Sequence, residues 1–265
     1  MIINYSNGED FIKENSTYLS ENTYMSSFFF LDAPLLKESN KKNYALKVFN
    51  ESGELLGIKV EPYFLLLYGE KGLLKELLIY IKDNDLEING AYCASELGNK
   101  LLELSEDILN KQFYQQIGMD FMEAKEISEP SFQGIEIPTL DDVDELYECS
   151  VNFMSDCGLT DTVEKSKIIN KIKEYRIIRK DNKIVSFCGK SPESSSSTRI
   201  SMVYTRPEYR GKGYARKIVN YLKNEIINEG KIATLNVDQA NPISNHLYSS
   251  LGFKKVFSRG IFLPK

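Results

Sequence analysis

The densest chemistry in this chain lies between Tyr204 and Arg216. The run Tyr204-Thr-Arg-Pro-Glu-Tyr-Arg-Gly-Lys-Gly-Tyr-Ala215 reads as a strand end, a tight basic turn and a helix start. At such a start the backbone N–H groups of Gly211 to Ala215 have no partner inside the helix, and the helix dipole adds partial positive charge. The segment therefore favours an anion such as pyrophosphate. Glycine at 211 and 213 removes the Cβ that would keep a phosphate away, and Arg210, Lys212 and Arg216 add charge. Two familiar phosphate loops are excluded. A Walker loop needs Gly-Lys-Ser/Thr, and here Gly213-Tyr214 follows Lys212; a dinucleotide fingerprint needs a third glycine where Arg216 stands.

A second patterned segment follows: Leu235-Asn-Val-Asp-Gln-Ala-Asn241-Pro-Ile-Ser-Asn245-His-Leu-Tyr248-Ser-Ser-Leu-Gly252-Phe253. In their order and spacing, Arg210-x-x-Gly213-x-Ala215, the preceding Val203-Tyr-Thr-x-Pro207-Glu-Tyr and this downstream run resemble the GCN5-related N-acetyltransferases. The match covers roughly Phe132 to the C-terminus. The resemblance implies a mixed-sheet α/β fold that binds acyl-CoA. Backbone groups of Val203 and Thr205 would pair with the pantetheine arm, in a gap where strands 200–205 and 232–237 splay apart. Arg210, Gly211, Lys212, Gly213, Tyr214 and Ala215 would hold the pyrophosphate. Asn241 and Asn245 would bind or orient the pantetheine side, and Tyr248 would stand near the thioester sulfur as general acid.

The implied reaction is acetyl transfer from acetyl-CoA to a primary amine, by direct attack in a ternary complex and without a metal. The tetrahedral oxyanion needs a donor, most simply a backbone N–H near Tyr204. The leaving thiolate needs a proton, which a phenol with a pKa near 10 still carries at neutral pH. The acceptor class is a small-molecule or peptide amine. A non-catalytic, CoA-responsive module would keep the loop and need no acid, and a scaffold would bind no CoA. No general base is identified: Glu193, Asp238 and Glu148 all suit surface or capping roles, and water is an alternative. His246 should be solvated, and Cys157 and Cys188 have no base partner. The acidic run Asp141, Asp142, Asp144, Glu145, Glu148 reads as a solvated helix face, with an acidic lip for a cationic amine as the alternative.

Around these residues the pattern predicts a strand over 132–137 and a capping box from Thr139 to Asp142. Helices follow over 140–151 and 162–173, then strands 175–179 and 184–188 about the turn Lys180-Asp-Asn-Lys. The tract Ser194–Ser197 is a loop. Beyond it come strand 200–205, helix 213–228 ended by Gly230, strand 232–237, helix 244–250 and strands 253–257 and 261–263. In the N-terminal half a hairpin 44–49/55–60, a strand 64–68 and a helix 72–82 stand out. Here Gly69–Lys82 lies on Arg210–Lys223 without a gap, and Lys71, Gly72, Tyr80 and Lys82 match identically. That suggests one fold used twice, with a degenerate first copy: Gly69 stands where Arg210 would, and no Asn…Asn-x-x-Tyr segment follows.

A length of 265 residues suits two domains, and the turn-rich run Glu126–Gln133 places the boundary between residues 1–128 and 129–265. A charge of −5 gives no general attraction to nucleic acid or anionic membrane. One histidine and four cysteines without a C-x-x-C pair exclude multi-histidine metal, zinc-ribbon and thioredoxin-type chemistry. With no signal peptide and no apolar run of bilayer length, the expectation is a cytoplasmic monomer or homodimer.

Overall fold

The computed structural model describes residues 1–21, 23–128, 130, 132–159 and 162–265. The chain packs as two compact units, Met1–Met119 with Phe257–Lys265, and Asp120–Val256. This division differs from the expected boundary at 128/129. Turn chemistry marks where regular backbone stops, and packing changes nine residues earlier, inside a strand that continues to Ala124. Of the expected linker, Glu129 and Ser131 lie outside the described residues. Ser128 and Pro130 are strapped down within the second unit: Lys223 Nζ donates to Ser128 Oγ (2.6 Å) and Asn220 Nδ2 to the Pro130 carbonyl (2.9 Å).

The first unit comprises β1 (Ile2–Tyr5), α1 (Gly8–Ser20), α2 (Thr23–Asp32), β2 (Tyr44–Asn50), β3 (Gly53–Lys59), β4 (Leu65–Gly69), α3 (Leu74–Asp83), β5 (Ala91–Ala94), α4 (Ser95–Leu109) and the start of β6 (Phe113–Ala124). β1 to β4 pair antiparallel in sequence order, and β4 pairs parallel with β5. Alternation along the strands sends side chains to two cores. Leu65 and Leu67 face α3 and α4 with Leu77, Leu78, Leu97 and Leu101, while Leu66 faces α1 and α2 with Phe11, Leu19 and Phe29. β5 is closed on its other side by residues from the end of the chain, with Gly260 opposite Cys93 and Phe262 opposite Ala91.

Helix α4 carries Gly98 in its interior, where glycine is ordinarily unfavourable. A Cβ there would lie 1.8 Å from Cζ of Phe262, a fully buried ring. Gly98→Ala should therefore destabilise the first unit by roughly 1–3 kcal/mol, the usual range for overpacking. A denaturant melt with an unshifted midpoint would contradict that packing.

The second unit holds α5 (Val143–Asp156), α6 (Lys165–Asn170), β7 (Tyr175–Lys180), β8 (Lys183–Pro192), β9 (Ser197–Thr205), α7 (Tyr214–Asn228), β10 (Ile232–Asp238), α8 (Pro242–Ser250) and the start of β11 (Lys254–Pro264). The capping box at Thr139 and Asp142 forms as expected. Asp181 (φ 50°) and Asn182 (φ 62°) make the β7–β8 turn, using residues that tolerate the left-handed region. Two expectations change. Residues 132–137 form no strand, only a bridge between Glu136 and Ile177, and the two closing strands are one, β11.

Apart from β1, which that bridge replaces, the order α-α-β-β-β-α-β-α-β is the same in both units. So are the pairing senses: antiparallel, antiparallel, parallel. Among the described residues no helix is long and apolar enough to cross a membrane.

Candidate active site

Strands β9 and β10 are parallel neighbours, but their pairing covers only Ser197↔Ile232, Thr198↔Ala233 and Arg199↔Thr234. Both strands then continue, to Thr205 and Asp238, without pairing to each other. The register of β9 against β8 shifts between Phe187 and Gly189, so Met202 and Val203 together face one residue. Met202 sits at φ 54°, an uncommon conformation for a non-glycine residue, and marks a bulge that turns the strand edge. Glu193 is committed at the paired end of this gap. Its carboxylate accepts from Thr234 Oγ1 and pairs with Arg199 Nε at 2.9 Å.

β9 runs directly into the glycine turn. Gly211 (φ 73°) and Gly213 (φ 78°) are both left-handed, and a Cβ on either would meet nothing within 4 Å. The space over the turn is thus open, and the glycines are required by the backbone. Gly213, the N-cap of α7, brings no side chain of its own to cap the helix. The flanking cations are close by: Lys212 Nζ donates to the Glu208 carbonyl (3.0 Å) and Arg216 Nη1 to Ser250 Oγ (2.7 Å). Tyr214 packs edge-on against Tyr209 at 6.3 Å, and Ala215 is half-buried in the first turn of α7. Arg210 ion-pairs with Asp156 and donates Nε to the Thr205 carbonyl (2.9 Å).

The corresponding turn of the first unit is self-satisfied. Glu70 Oε1 accepts from Gly72 N (3.0 Å), so a carboxylate of the chain already uses that N–H. A Cβ on Gly69 would lie 2.1 Å from the Glu54 carbonyl oxygen, which excludes an arginine where Arg210 stands in the second copy.

Tyr248 is 7% exposed and packs edge-on against Phe253, 6.1 Å between ring centres. The same cluster holds half-buried Val203, Tyr209 and Tyr214, so the structure gathers part of the predicted set on one face of the sheet. Burial raises the phenol pKa well above 10, and the nearby thiols of Cys188 and Cys157 push it the same way. Tyr204 does not join this group. Its ring is buried on the opposite face with Leu146, Cys149 and Phe187, which leaves only its backbone for the gap. Thr205 is partly engaged: its hydroxyl lies 2.9 Å from Ser186 Oγ, and its carbonyl accepts from Arg210.

Asn241 and Asn245 build the turn between β10 and α8. Asn241 Oδ1 accepts from Ser244 N (3.0 Å), and Asn245 Nδ2 donates to the carbonyls of Asp238 and Asn241 (both 2.8 Å). Asp238 Oδ1 accepts from Ala240 N (2.8 Å), and His246 is exposed.

The acidic residues of α5 and of the turn leading into it are mostly paired. Asp142 meets Arg179 and Asp144 meets Lys165, each at 2.6 Å, while Glu145 and Glu148 both meet Arg206. Asp144 and Glu148 are largely solvated, in line with the expected solvated face, and the ion pairs, which the sequence did not disclose, neutralise charge that an acidic lip would need. The sequence reading missed Arg206, Asp156 and the Met202 bulge. Only Arg206 left a signal, as the residue before Pro207 at the end of a strand.

Residues 178–260 match the model of the FR47-like protein family. None of the curated proteins compared with this sequence matches it. Among solved structures, an acetyltransferase of the GNAT family from Colwellia psychrerythraea aligns over 100% of this chain and 99% of its own, with TM-score 0.60 and 13% identity. The fold is that of the GCN5-related N-acetyltransferases. A second example is a GCN5-related N-acetyltransferase from Sphaerobacter thermophilus, with TM-score 0.56 and 15% identity over 83% of this chain and 80% of its own. A third, from Kribbella flavida, has TM-score 0.52 and 14% identity over 82% and 88%. The expectation of a mixed α/β acetyltransferase fold is borne out. On this acetyltransferase fold the glycine turn stays open in the second copy only.

Proposed function

We propose that the second unit transfers the acetyl group of acetyl-CoA to a primary amine, in a ternary complex with no acyl-enzyme. The observation that carries this reading is the early end of β9–β10 pairing immediately before an uncapped, open glycine turn. An extended thiol arm would fill the gap as an additional strand, using backbone groups of Val203 and Thr205. Its diphosphate would lie on the N–H groups of Gly211 to Ala215, near Arg210, Lys212 and Arg216. The turn fits such a group because its glycines bring no Cβ or capping side chain to take its place.

The amine nitrogen attacks the thioester carbonyl and forms the C–N bond. A backbone N–H near Tyr204 steadies the oxyanion. The C–S bond then breaks, the departing sulfur takes its proton from the Tyr248 hydroxyl, which burial keeps protonated, and the proton that the new amide nitrogen sheds returns through water to the phenolate. Asn241 and Asn245 shape the turn that carries α8 and thus position Tyr248. Glu193, Glu148 and Asp238 are engaged elsewhere, so the amine is taken up neutral or loses its proton to water.

A panel of amines assayed by CoA-thiol release tests the reading. Release should require both acetyl-CoA and a suitable amine. Measurable CoA binding with no release across the panel would favour a non-catalytic sensor instead.

A further inference from the structure

Two arginines tie helix α5 to the segment after β9, in different ways. Arg206 is 5% exposed; its guanidinium donates to the Ile184 carbonyl (2.7 Å), Glu148 Oε1 (2.8 Å) and Glu145 Oε1 (3.1 Å). Arg210 is half-exposed. It ion-pairs with Asp156, donates to the Thr205 carbonyl, and lies over the Tyr204 ring at 5.8 Å. The first tie is a fixed anchor. The second is open to water and to competing ions.

Asp156 is the last residue of α5, at the negative end of the helix dipole, where a carboxylate is disfavoured. The helix gives no reason for an acid there, and Arg210 does. Lys212, by contrast, donates to a neutral carbonyl. An anion arriving at the turn thus finds Arg210 already holding a carboxylate.

We propose that Asp156 is a stand-in anion for Arg210, displaced by the diphosphate of acyl-CoA, so that binding at the glycine turn releases the C-terminal end of α5. This rests on reading the turn as the diphosphate site. Pairing with Asp156 weakens apparent CoA affinity in proportion to how rarely Arg210 is free. It also couples the turn to the helix pair α5–α6.

Calorimetric titrations of CoA, and of pantetheine (the same thiol arm without the diphosphate), test it. They use the unsubstituted chain, Asp156→Asn, Arg210→Gln and the double variant, each checked by thermal melt. Asp156→Asn should bind CoA about three- to fivefold more tightly, the effect of freeing a half-exposed ion pair, with pantetheine unchanged. On the Arg210→Gln background the same substitution should change nothing. Unchanged or weaker CoA binding by Asp156→Asn would overturn the proposal. So would equal tightening on both backgrounds, which would make Asp156 a diffuse repulsive charge. In those cases the acetyl-CoA reading stands. A folded, unsubstituted chain that fails to bind CoA overturns both.

Discussion

Replacing Tyr248 by phenylalanine is expected to lower acetyl-transfer turnover by roughly 10²-fold or more and to leave CoA affinity within about twofold, the pattern for losing a general acid. The ring would keep its place against Phe253, because the substitution removes one oxygen from a buried side chain. A fall in kcat with unchanged binding therefore reports the hydroxyl and not the packing. The sign of the pH dependence is fixed by the same burial. The phenol pKa is raised, so the proton-bearing form persists through neutral and mildly alkaline pH. The pH–rate profile should stay level on the alkaline side up to about pH 9 and fall on the acid side as the amine protonates. An alkaline limb near neutrality, or a Tyr248→Phe variant with full kcat, would remove Tyr248 from the reaction.

The second large effect concerns the Arg206 anchor. Arg206→Gln is expected to destabilise the second unit by about 3 kcal/mol and lower its Tm by roughly 10 °C. The figure sits at the low end for a broken buried pair because Glu148 is more than half exposed. The hydrogen bond from Arg206 holds the Glu148 carboxyl below the usual carboxylate range. Its contribution is therefore present above the unfolded value near 4.3 and lost as pH falls through the folded value. In Arg206→Gln that part of the acid sensitivity should disappear. Chemical melts at pH 7 and pH 4 measure both effects, and an unshifted midpoint at pH 7 would contradict the anchoring role.

How far the sequence discloses these features depends on whether local pattern or distant packing sets them. The glycine turn was legible because φ near +75° at Gly211 and Gly213 demands glycine, and the cations stand beside it. The β7–β8 turn was legible for a similar reason. Helix α4 was not read, because Gly98 looks like a breaker until Phe262, far along the chain, explains it. The division of β11 into two strands has the same origin. Ser258-Arg-Gly260 resembles a turn, yet a Cβ on Gly260 would lie 2.8 Å from the Ile117 carbonyl oxygen, so that glycine admits a close neighbour. Residues 132–137 alternate like a strand, but only Glu136 finds a bridge partner.

The Met202 bulge left no trace, since a hydrophobic residue inside a β-rich run gives no hint of φ 54°. Tyr204 and Tyr248 look alike as tyrosines near the site, and only the pleat shows that one ring belongs to the opposite core. The two asparagines were legible as a spacing. That their amides close a turn required the hydrogen bonds.

The strand that closes β5 comes from Phe257–Pro264, and the ring beneath Gly98 is Phe262. During synthesis the first unit therefore waits. Its amino-terminal residues emerge early, but its sheet and core cannot be completed until every residue of the second unit has been made. The half whose first residues leave the ribosome earliest cannot close before Phe257–Pro264 have emerged, after every residue of the second unit.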